Sequence, residues 1–327
     1  KFGHFKRLTA DTPNGNVRRI KKYRNFRINM KVGFISLIGK PNAGKSTLTN
    51  TLVGEKVSIV SWKPQTTRNK ILGIANSPDY QMVIVDTPGI HKAKNALSKY
   101  MMKSVETGQE GVEVIVYVMA MDKKLDDTDF ANIKKYSVGD TPFVIALNKC
   151  DEVDQSAIME RIASLKDVEG VDSIIPISAL TGKNTDMLKD RLLQLLPDGE
   201  RFFDEDIYTD KSMRFMAAEI IREKALRNLD EEIPYGIGVL INKFEYQNNG
   251  VVSIDADIVC EKQSHKAMVI GKGGAMIKKI STQSRQDIEN MVDGKVFLNL
   301  YVRVKEDWRE SDFLLNQLGY NLKDLKD

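Results

Sequence analysis

Eight residues, Gly39-Lys40-Pro41-Asn42-Ala43-Gly44-Lys45-Ser46, place two glycines, a lysine and a hydroxyl at the spacing G-x-x-x-x-G-K-[ST]. Glycines let consecutive backbone N–H groups curl around an anion, and a helix beginning at Lys45 adds its partial positive charge. Gly39, Asn42, Ala43, Gly44, Lys45, Ser46 and Thr47 therefore read as a phosphate cradle. Lys45 can reach the outer phosphate oxygens, and the Ser46 hydroxyl can face Mg2+. Asp86-Thr87-Pro88-Gly89 offers a carboxylate to the same cation and, at Gly89, an N–H for the last phosphate. In Asn148-Lys149-Cys150-Asp151 the Asp151 carboxylate can accept from both guanine N1–H and N2–H2, a donor pair that adenine does not present. Ser178-Ala179-Leu180 can direct backbone N–H groups at guanine O6. Each short motif alone is an ordinary turn. All of them in this order, each following an apolar run, point to a guanine nucleotide, GTP or GDP.

These motifs need a sheet to carry them. Short apolar runs at Val32–Ile38, Gln81–Val85, Val112–Met119, Pro142–Leu147 and Ser173–Pro176 read as strands, separated by helical patterns that include 45–53 and 185–196. Alternation of this kind predicts a mainly parallel sheet, with ligands at the carboxyl ends of its strands. Pro197-Asp198-Gly199 breaks the rhythm, and acidic residues follow at Asp204, Glu205, Asp206 and Asp210. The expected division is 30–197 for the nucleotide domain, 198–210 for a linker and 211–327 for a second domain.

In that second domain the pattern predicts a helix over 211–229, a hairpin of 236–246 and 251–260 turning at Asn248-Asn249-Gly250, and helix over 266–291. Gly271-Lys272-Gly273-Gly274 interrupts the long helical stretch, a strand follows at 296–304, and a short helix lies near 310–318. A G-x-x-G loop between helices allows close approach of a nucleic-acid backbone, with Lys272 supplying charge. Residues 261–285 carry six Lys/Arg against one acid, whereas 201–327 as a whole has 19 basic and 22 acidic residues. Positive charge is thus focused on this loop, which suits single-stranded RNA held by Lys262, Lys266, Ile270, Gly271, Lys272, Gly273, Gly274, Lys278 and Lys279. Trp308 and Tyr320 read as core residues of an amphipathic terminal segment rather than as base-stacking platforms.

Taken together, the motifs resemble the KH-domain-bearing GTPases of the TrmE–Era group, from about Met30 to the end of the chain. The resemblance includes Lys63-Pro64-Gln65-Thr66-Thr67-Arg68, Val302-Arg303-Val304-Lys305 and Asp307-Trp308-Arg309. It implies an α/β P-loop GTPase domain, mainly parallel sheet with helices on both faces, followed by an α+β type II KH domain. Gln65, Thr66, Thr67 and Arg68 would form switch I, and Asp86, Thr87, Pro88, Gly89 and Ile90 switch II. Mg2+ would be held by Ser46, Asp86 and one switch threonine, Thr67 being favoured over Thr66. Ile90 stands where a water-orienting glutamine occurs in Ras-like GTPases, so slow intrinsic hydrolysis is expected. Asn42 would either contact K+ or simply stabilise its turn, and His91 reads as a solvent-facing switch residue. The implied partners are the 3′ end of small-subunit (16S) rRNA and the 30S subunit during its assembly. A cytoplasmic monomer, with peripheral association at the inner face of the cell membrane, is the implied setting. Lys262, His265 and Ser281 depart from the arginine, glutamine and glycine commoner in the group.

Composition sets outer bounds on these readings. The chain has 327 residues, 42% hydrophobic and 29% charged, which excludes global disorder and a fibrous repeat. The longest apolar run, 114–121, is far short of the roughly 20 residues that cross a bilayer. Cys150 and Cys260 have neither disulfide nor metal-ligand spacing, so a reducing compartment is expected. Of the 49 Lys/Arg, nine fall in residues 1–29 beside the single acid Asp11, leaving 40 basic and 44 acidic residues in the remainder. The arm at 1–29 reads as a disordered extension, its alternative being an anionic-surface tail. Rival functions are a non-cycling RNA-binding module and an RNA-modifying enzyme; a second catalytic constellation is missing from the sequence, which disfavours the latter.

Overall fold

A computed structural model describes residues 30–325; the basic arm at 1–29 lies outside the described residues. The first domain runs β1 (Met30–Ile38), α1 (Lys45–Val53), β2 (Ile71–Ser77), β3 (Tyr80–Asp86), α2 (Ala96–Thr107), β4 (Val114–Ala120), α3 (Asp127–Tyr136), β5 (Phe143–Asn148), α4 (Gln155–Leu165), β6 (Val171–Pro176) and α5 (Thr185–Leu195). The sheet order is β2-β3-β1-β4-β5-β6, parallel throughout except for the antiparallel β2–β3 pair. β1, β4 and β5 are apolar on both faces because both faces are covered. Leu48 and Leu52 of α1 and Leu188 and Leu192 of α5 pack on one face, while Val105, Ile133, Ile158 and Leu165 from α2, α3 and α4 pack on the other.

Strand β2 was not foreseen by the sequence reading. Its third residue is Gly73, where a Cβ would come within 2.8 Å of Thr49 Cγ2 and 2.9 Å of Val53 Cγ2. The strand thus lies too close under α1 for a side chain at that point, and the glycine conceals the β pattern.

Residues 198–210 lie along this sheet. β7 (Asp198–Gly199) pairs antiparallel with Met30 and Lys31 of β1. The buried Gln81 side chain accepts from the Phe202 and Phe203 N–H groups at 2.8 and 3.0 Å and donates to the Phe203 carbonyl at 2.8 Å. Further along, Ile74 N–H donates to the Tyr208 carbonyl at 2.8 Å and Leu72 N–H to Asp210 Oδ1 at 2.9 Å.

The second domain comprises α6 (Met213–Asn228), β8 (Gly238–Tyr246), β9 (Val252–Cys260), α7 (Gln263–Ile270), α8 (Ala275–Val292), β10 (Val296–Val304) and α9 (Asp312–Gln317). β8 and β9 form the antiparallel hairpin, and β10 joins β9 in parallel. Ile280, Ser284, Ile288 and Met291 of α8 are buried at helical spacing, and Ile280, Ile288 and Met291 join the core formed with α6 and the sheet. A separate apolar cluster bridges the domains: Leu97, Tyr100 and Met101 of α2 meet Trp308, Leu315, Leu318 and Tyr320. Trp308 is fully buried and its indole N–H donates to the Gly236 carbonyl at 2.9 Å, in keeping with its expected core role.

Candidate nucleotide site and nucleic-acid interface

The loop between β1 and α1 holds Gly39, Asn42 and Gly44 at φ of 146°, 63° and 94°. At Gly39 a Cβ would fall 2.3 Å from the Val118 carbonyl oxygen, and at Gly44 2.1 Å from Asn148 Nδ2. Both conformation and space therefore require glycine there. Lys45 is buried, and its ammonium donates to the Gly39 and Lys40 carbonyls at 3.1 Å each. Burial lowers its pKa to about 8, opposed by the charge of Asp86. Asp86, at the end of β3, is fully buried, and neither carboxylate oxygen has a hydrogen-bond partner. Burial pushes this carboxyl up, opposed by the nearby Ser46 hydroxyl, which is bonded to Thr67 and completes no hydrogen bond to Asp86, and by the Lys45 ammonium.

Two threonines of the segment before β2 separate cleanly. Thr67 Oγ1 lies 2.6 Å from Ser46 Oγ, whereas Thr66 donates to the Lys63 carbonyl at 2.7 Å. Thr87 donates to the Leu37 carbonyl, and Gly89 lies so close to Pro41 that a Cβ would meet its backbone at 2.7 Å. Ile90 donates its N–H to the Gly39 carbonyl at 3.0 Å, and its side chain packs on the core under α2. His91 is half-buried rather than solvent-facing: Nδ1 is 2.7 Å from the Gly89 carbonyl and Nε2 is enclosed.

At the base end, Asn148 spends both ends of its amide on protein, donating to the Ala43 carbonyl at 2.8 Å and accepting from Ala179 N–H at 2.9 Å. It ties the phosphate loop to the loop after β6. Lys149 takes φ 65° and pairs with Asp122 at 2.9 Å. Ser178 is buried and Leu180 exposed. Asp151 is exposed, one position beyond buried Cys150. A cavity of about 480 Å³ opens among these loops, and Lys45, Ser46, Thr47, Gln65, Asn148 and Leu180 line it. Trp62, Asp122 and Lys123 line it too and were not anticipated. Asp122 and Lys123 follow β4 at the carboxyl edge of the sheet, so the rule that ligands sit at that edge could have found them.

Arg68, the last of the switch I residues, is held by the second domain. It is fully buried, and its guanidinium donates to the Ile237 carbonyl at 2.7 Å and the Tyr235 carbonyl at 3.1 Å, both in the second domain.

The G-x-x-G loop is built differently. Gly271, Gly273 and Gly274 have φ of 72°, 59° and 79°, and α8 begins directly afterwards at Ala275. Lys262, Lys272, Lys278 and Lys279 are exposed and Lys266 half-buried. Among the described residues, none of these five lysines has a carboxylate within salt-bridge distance, unlike Lys40, Lys56 and Lys149 of the first domain. Ile270, half-buried, packs against the second domain's core. His265 is buried in α7, its Nε2 3.9 Å from Glu232 Oε1, so it serves the core rather than the surface. α7 and α8 both contact β10, the edge strand of the second sheet.

The chain can now be compared with known proteins. Residues 34–149 match the family described as 50S ribosome-binding GTPase, and residues 232–309 match the KH domain. GTPase Era of Clostridium botulinum is 45% identical over 294 residues, covering 90% of this chain and 99% of that protein. GTPase Era of Clostridium novyi is 45% identical over 290 residues, covering 89% and 99%. Among solved structures, Era in complex with MgGDPNP and nucleotides 1506–1542 of 16S ribosomal RNA is 36% identical with a TM-score of 0.87, covering 90% of this chain and 100% of that one. An Aquifex aeolicus Era variant bound to GDP·AlF4− is 35% identical with a TM-score of 0.86, at the same coverage. A glycine-walled phosphate loop and a lysine-flanked G-x-x-G loop, in one chain and matched along nearly its whole described length, leave no other assignment: this chain belongs to the Era family of GTPases.

Proposed function

We propose that the chain binds and slowly hydrolyses GTP in residues 30–197, binds the 3′ end of 16S rRNA through residues 211–327, and acts in assembly of the 30S subunit. One observation carries the nucleotide half: two buried, unpartnered Asp86 oxygens behind the Ser46–Thr67 hydroxyl pair, with Lys45 alongside. Orphaned buried carboxylate oxygens are costly unless a cation or donor completes them, and this donor set fits Mg2+. Ser46, Thr67 and Asp86 would hold it, and when bound it supplies charge to the outer phosphates. Backbone N–H groups from Asn42 to Thr47 and at Gly89 cradle phosphate, while Lys45 exchanges its two carbonyls for phosphate oxygens. Asp151, with Lys149 and the Ser178-Ala179-Leu180 loop, reads guanine.

Hydrolysis is slow in this reading because Ile90 lends its side chain to the core and offers no group to the attacking water. Asn42, whose amide donates to the Trp62 carbonyl at 2.6 Å, is the proposed K+ contact. Five lysines that have no carboxylate within salt-bridge distance among the described residues, set around an open glycine loop, support single-stranded RNA as the second ligand. No helix among the described residues is long and apolar enough to cross a membrane. A cytoplasmic monomer, touching the inner face of the cell membrane only peripherally, completes the reading. Single-turnover GTP hydrolysis with and without RNA of the 16S 3′-terminal sequence is the test. Faster turnover with the RNA is expected; a chain that binds the RNA but never hydrolyses GTP would sink it.

A further inference from the structure

The segment from Val60 to Arg68 belongs to the first domain by sequence but is held largely by the second. Val60 donates its N–H to Glu223 Oε1 at 2.9 Å, and its carbonyl accepts from Arg227 at 2.6 Å. Lys63 donates to the Leu229 carbonyl, and the Thr66 carbonyl accepts from Arg222 Nη2 at 2.5 Å. The first domain contributes Asn42 at Trp62 and the Ser46–Thr67 hydroxyl contact.

Arg68 ends this segment, next to Thr67 in the chain. Its fork spans the carbonyls of Tyr235 and Ile237, and the Tyr320 hydroxyl lies 3.3 Å from Nη1. The guanidinium carbon sits 5.7 Å from the Trp308 ring centre and 6.0 Å from that of Tyr320, and these two rings stack on each other at 6.2 Å. Every hydrogen-bond partner of this buried charge is in the second domain. Such a charge cannot drift without losing its partners, so it fixes the backbone of its neighbour.

We propose that Arg68 is a positioning residue through which the second domain sets the Thr67 hydroxyl against Ser46, so that cation binding and GTP turnover in the first domain depend on contacts made in the second. The proposal rests on the reading of the Ser46–Thr67–Asp86 cluster as the Mg2+ and GTP site. Thr67 touches the reaction; Arg68 acts through it. Displacement of the Tyr235–Ile237 segment, as by a ligand on the second domain, is then transmitted to the cation site through one side chain.

The test uses the full chain. Arg68→Met keeps a similar length and volume while removing the buried charge, and it leaves the Tyr235 and Ile237 carbonyls without their donor. The readouts are single-turnover GTP hydrolysis as a function of Mg2+ concentration and GDP binding without Mg2+. We expect the maximal rate to fall about tenfold and half-saturating Mg2+ to rise about fivefold, with GDP affinity within about twofold. Arg68→Lys, which keeps the charge but cannot span both carbonyls, should restore part of the loss. Tyr320→Leu, which removes the hydroxyl beside Arg68 Nη1 and leaves Arg68 and Thr67 themselves unaltered, should shift Mg2+ dependence in the same direction. Wild-type rate and Mg2+ dependence in Arg68→Met overturn the proposal. Should that variant lose GDP binding, Tyr320→Leu decides: an unchanged Mg2+ dependence there overturns it equally. Failure of the unaltered chain to hydrolyse GTP would instead remove the nucleotide reading itself.

Discussion

Glycine serves opposite ends in the two ligand sites. At Gly39, Gly44 and Gly89 a side chain would collide with the protein itself, between 2.1 and 2.7 Å from the nearest atom. At Gly273 and Gly274 nothing lies within 4 Å. The nucleotide loop is pressed between β4, Asn148 and Pro41, and its glycines are fixed by packing already present. In the second loop a Cβ at Gly271 would meet Met276 at 2.7 Å, but beyond it the loop projects into open space, and Gly273 and Gly274 leave room for something that comes from outside. Charge follows the same division, since Lys45 is buried against carbonyls while Lys272 is exposed. One site is preorganised and closed, the other is exposed and completed by its partner.

The sharpest way to break this contrast is Gly44→Ala. Its φ of 94° and the 2.1 Å approach to Asn148 should together cost over about 100-fold in GDP affinity. Isothermal calorimetry would show it, and near-normal binding would mean the loop is softer than its contacts indicate. Next in size is the double change Lys272→Asp with Gly273→Asp. Like charge facing phosphate should weaken binding of 16S 3′-terminal RNA by about 30-fold or more at fixed salt, leaving GDP affinity unchanged. Filter binding measures the first and calorimetry the second; intact RNA binding would move attention to the Lys/Arg of 1–29.

A third prediction concerns protons. In the free pocket Lys45 has a pKa lowered to about 8, and bound phosphate must return it toward its ordinary value. The complex then holds more protons than the free protein above pH 8, so affinity falls as pH rises. About a tenfold loss of GDP affinity is expected between pH 7 and pH 9, and Lys45→Met should flatten the profile. The same group acts on folding in the other direction. Its folded pKa is depressed, so its stability penalty is full below pH 8 and is relieved as pH rises toward 10.5. The smallest effect is expected for Gly273→Ala. It meets no atom, so only the left-handed backbone opposes it, at about 1 kcal/mol, a few degrees in Tm. A loss as large as that of Gly44→Ala would erase the contrast between the loops.

Much of this site was legible because phosphate and guanine chemistry constrains local residues. Lys45, Ser46, Asp86 and Asn148 stand where their motifs place them, at the carboxyl ends of strands or the helix start beside them. Thr67 and Thr66 were separable only in part, and the structure parts them through one hydroxyl contact. The burial and partners of Arg68 could not be read from its neighbours. Its place is decided by residues about 170 positions away at Tyr235 and Ile237, and local pattern carries no trace of such a contact. Strand β2 was hidden for a related reason: Gly73 reports the nearness of α1, not the strand. In the second domain the hairpin, β10 and the broken helix were readable from period and turn chemistry. That the five lysines have no ion-pair partner among the described residues was not, because it depends on where the acids fold.

The stretch 198–210 has a consequence for how the chain comes into being. Met30 and Lys31 of the earliest described strand find their β7 partners nearly 170 residues later, and Gln81, Ile74 and Leu72 wait for residues 202–210. During synthesis the edge of the first sheet stays unstitched until that stretch has left the ribosome's exit tunnel. By then the second domain is already being made. A domain border drawn along the sequence would therefore cut the thread that closes the first domain, and a fragment ending at Leu196 would emerge with its seam open.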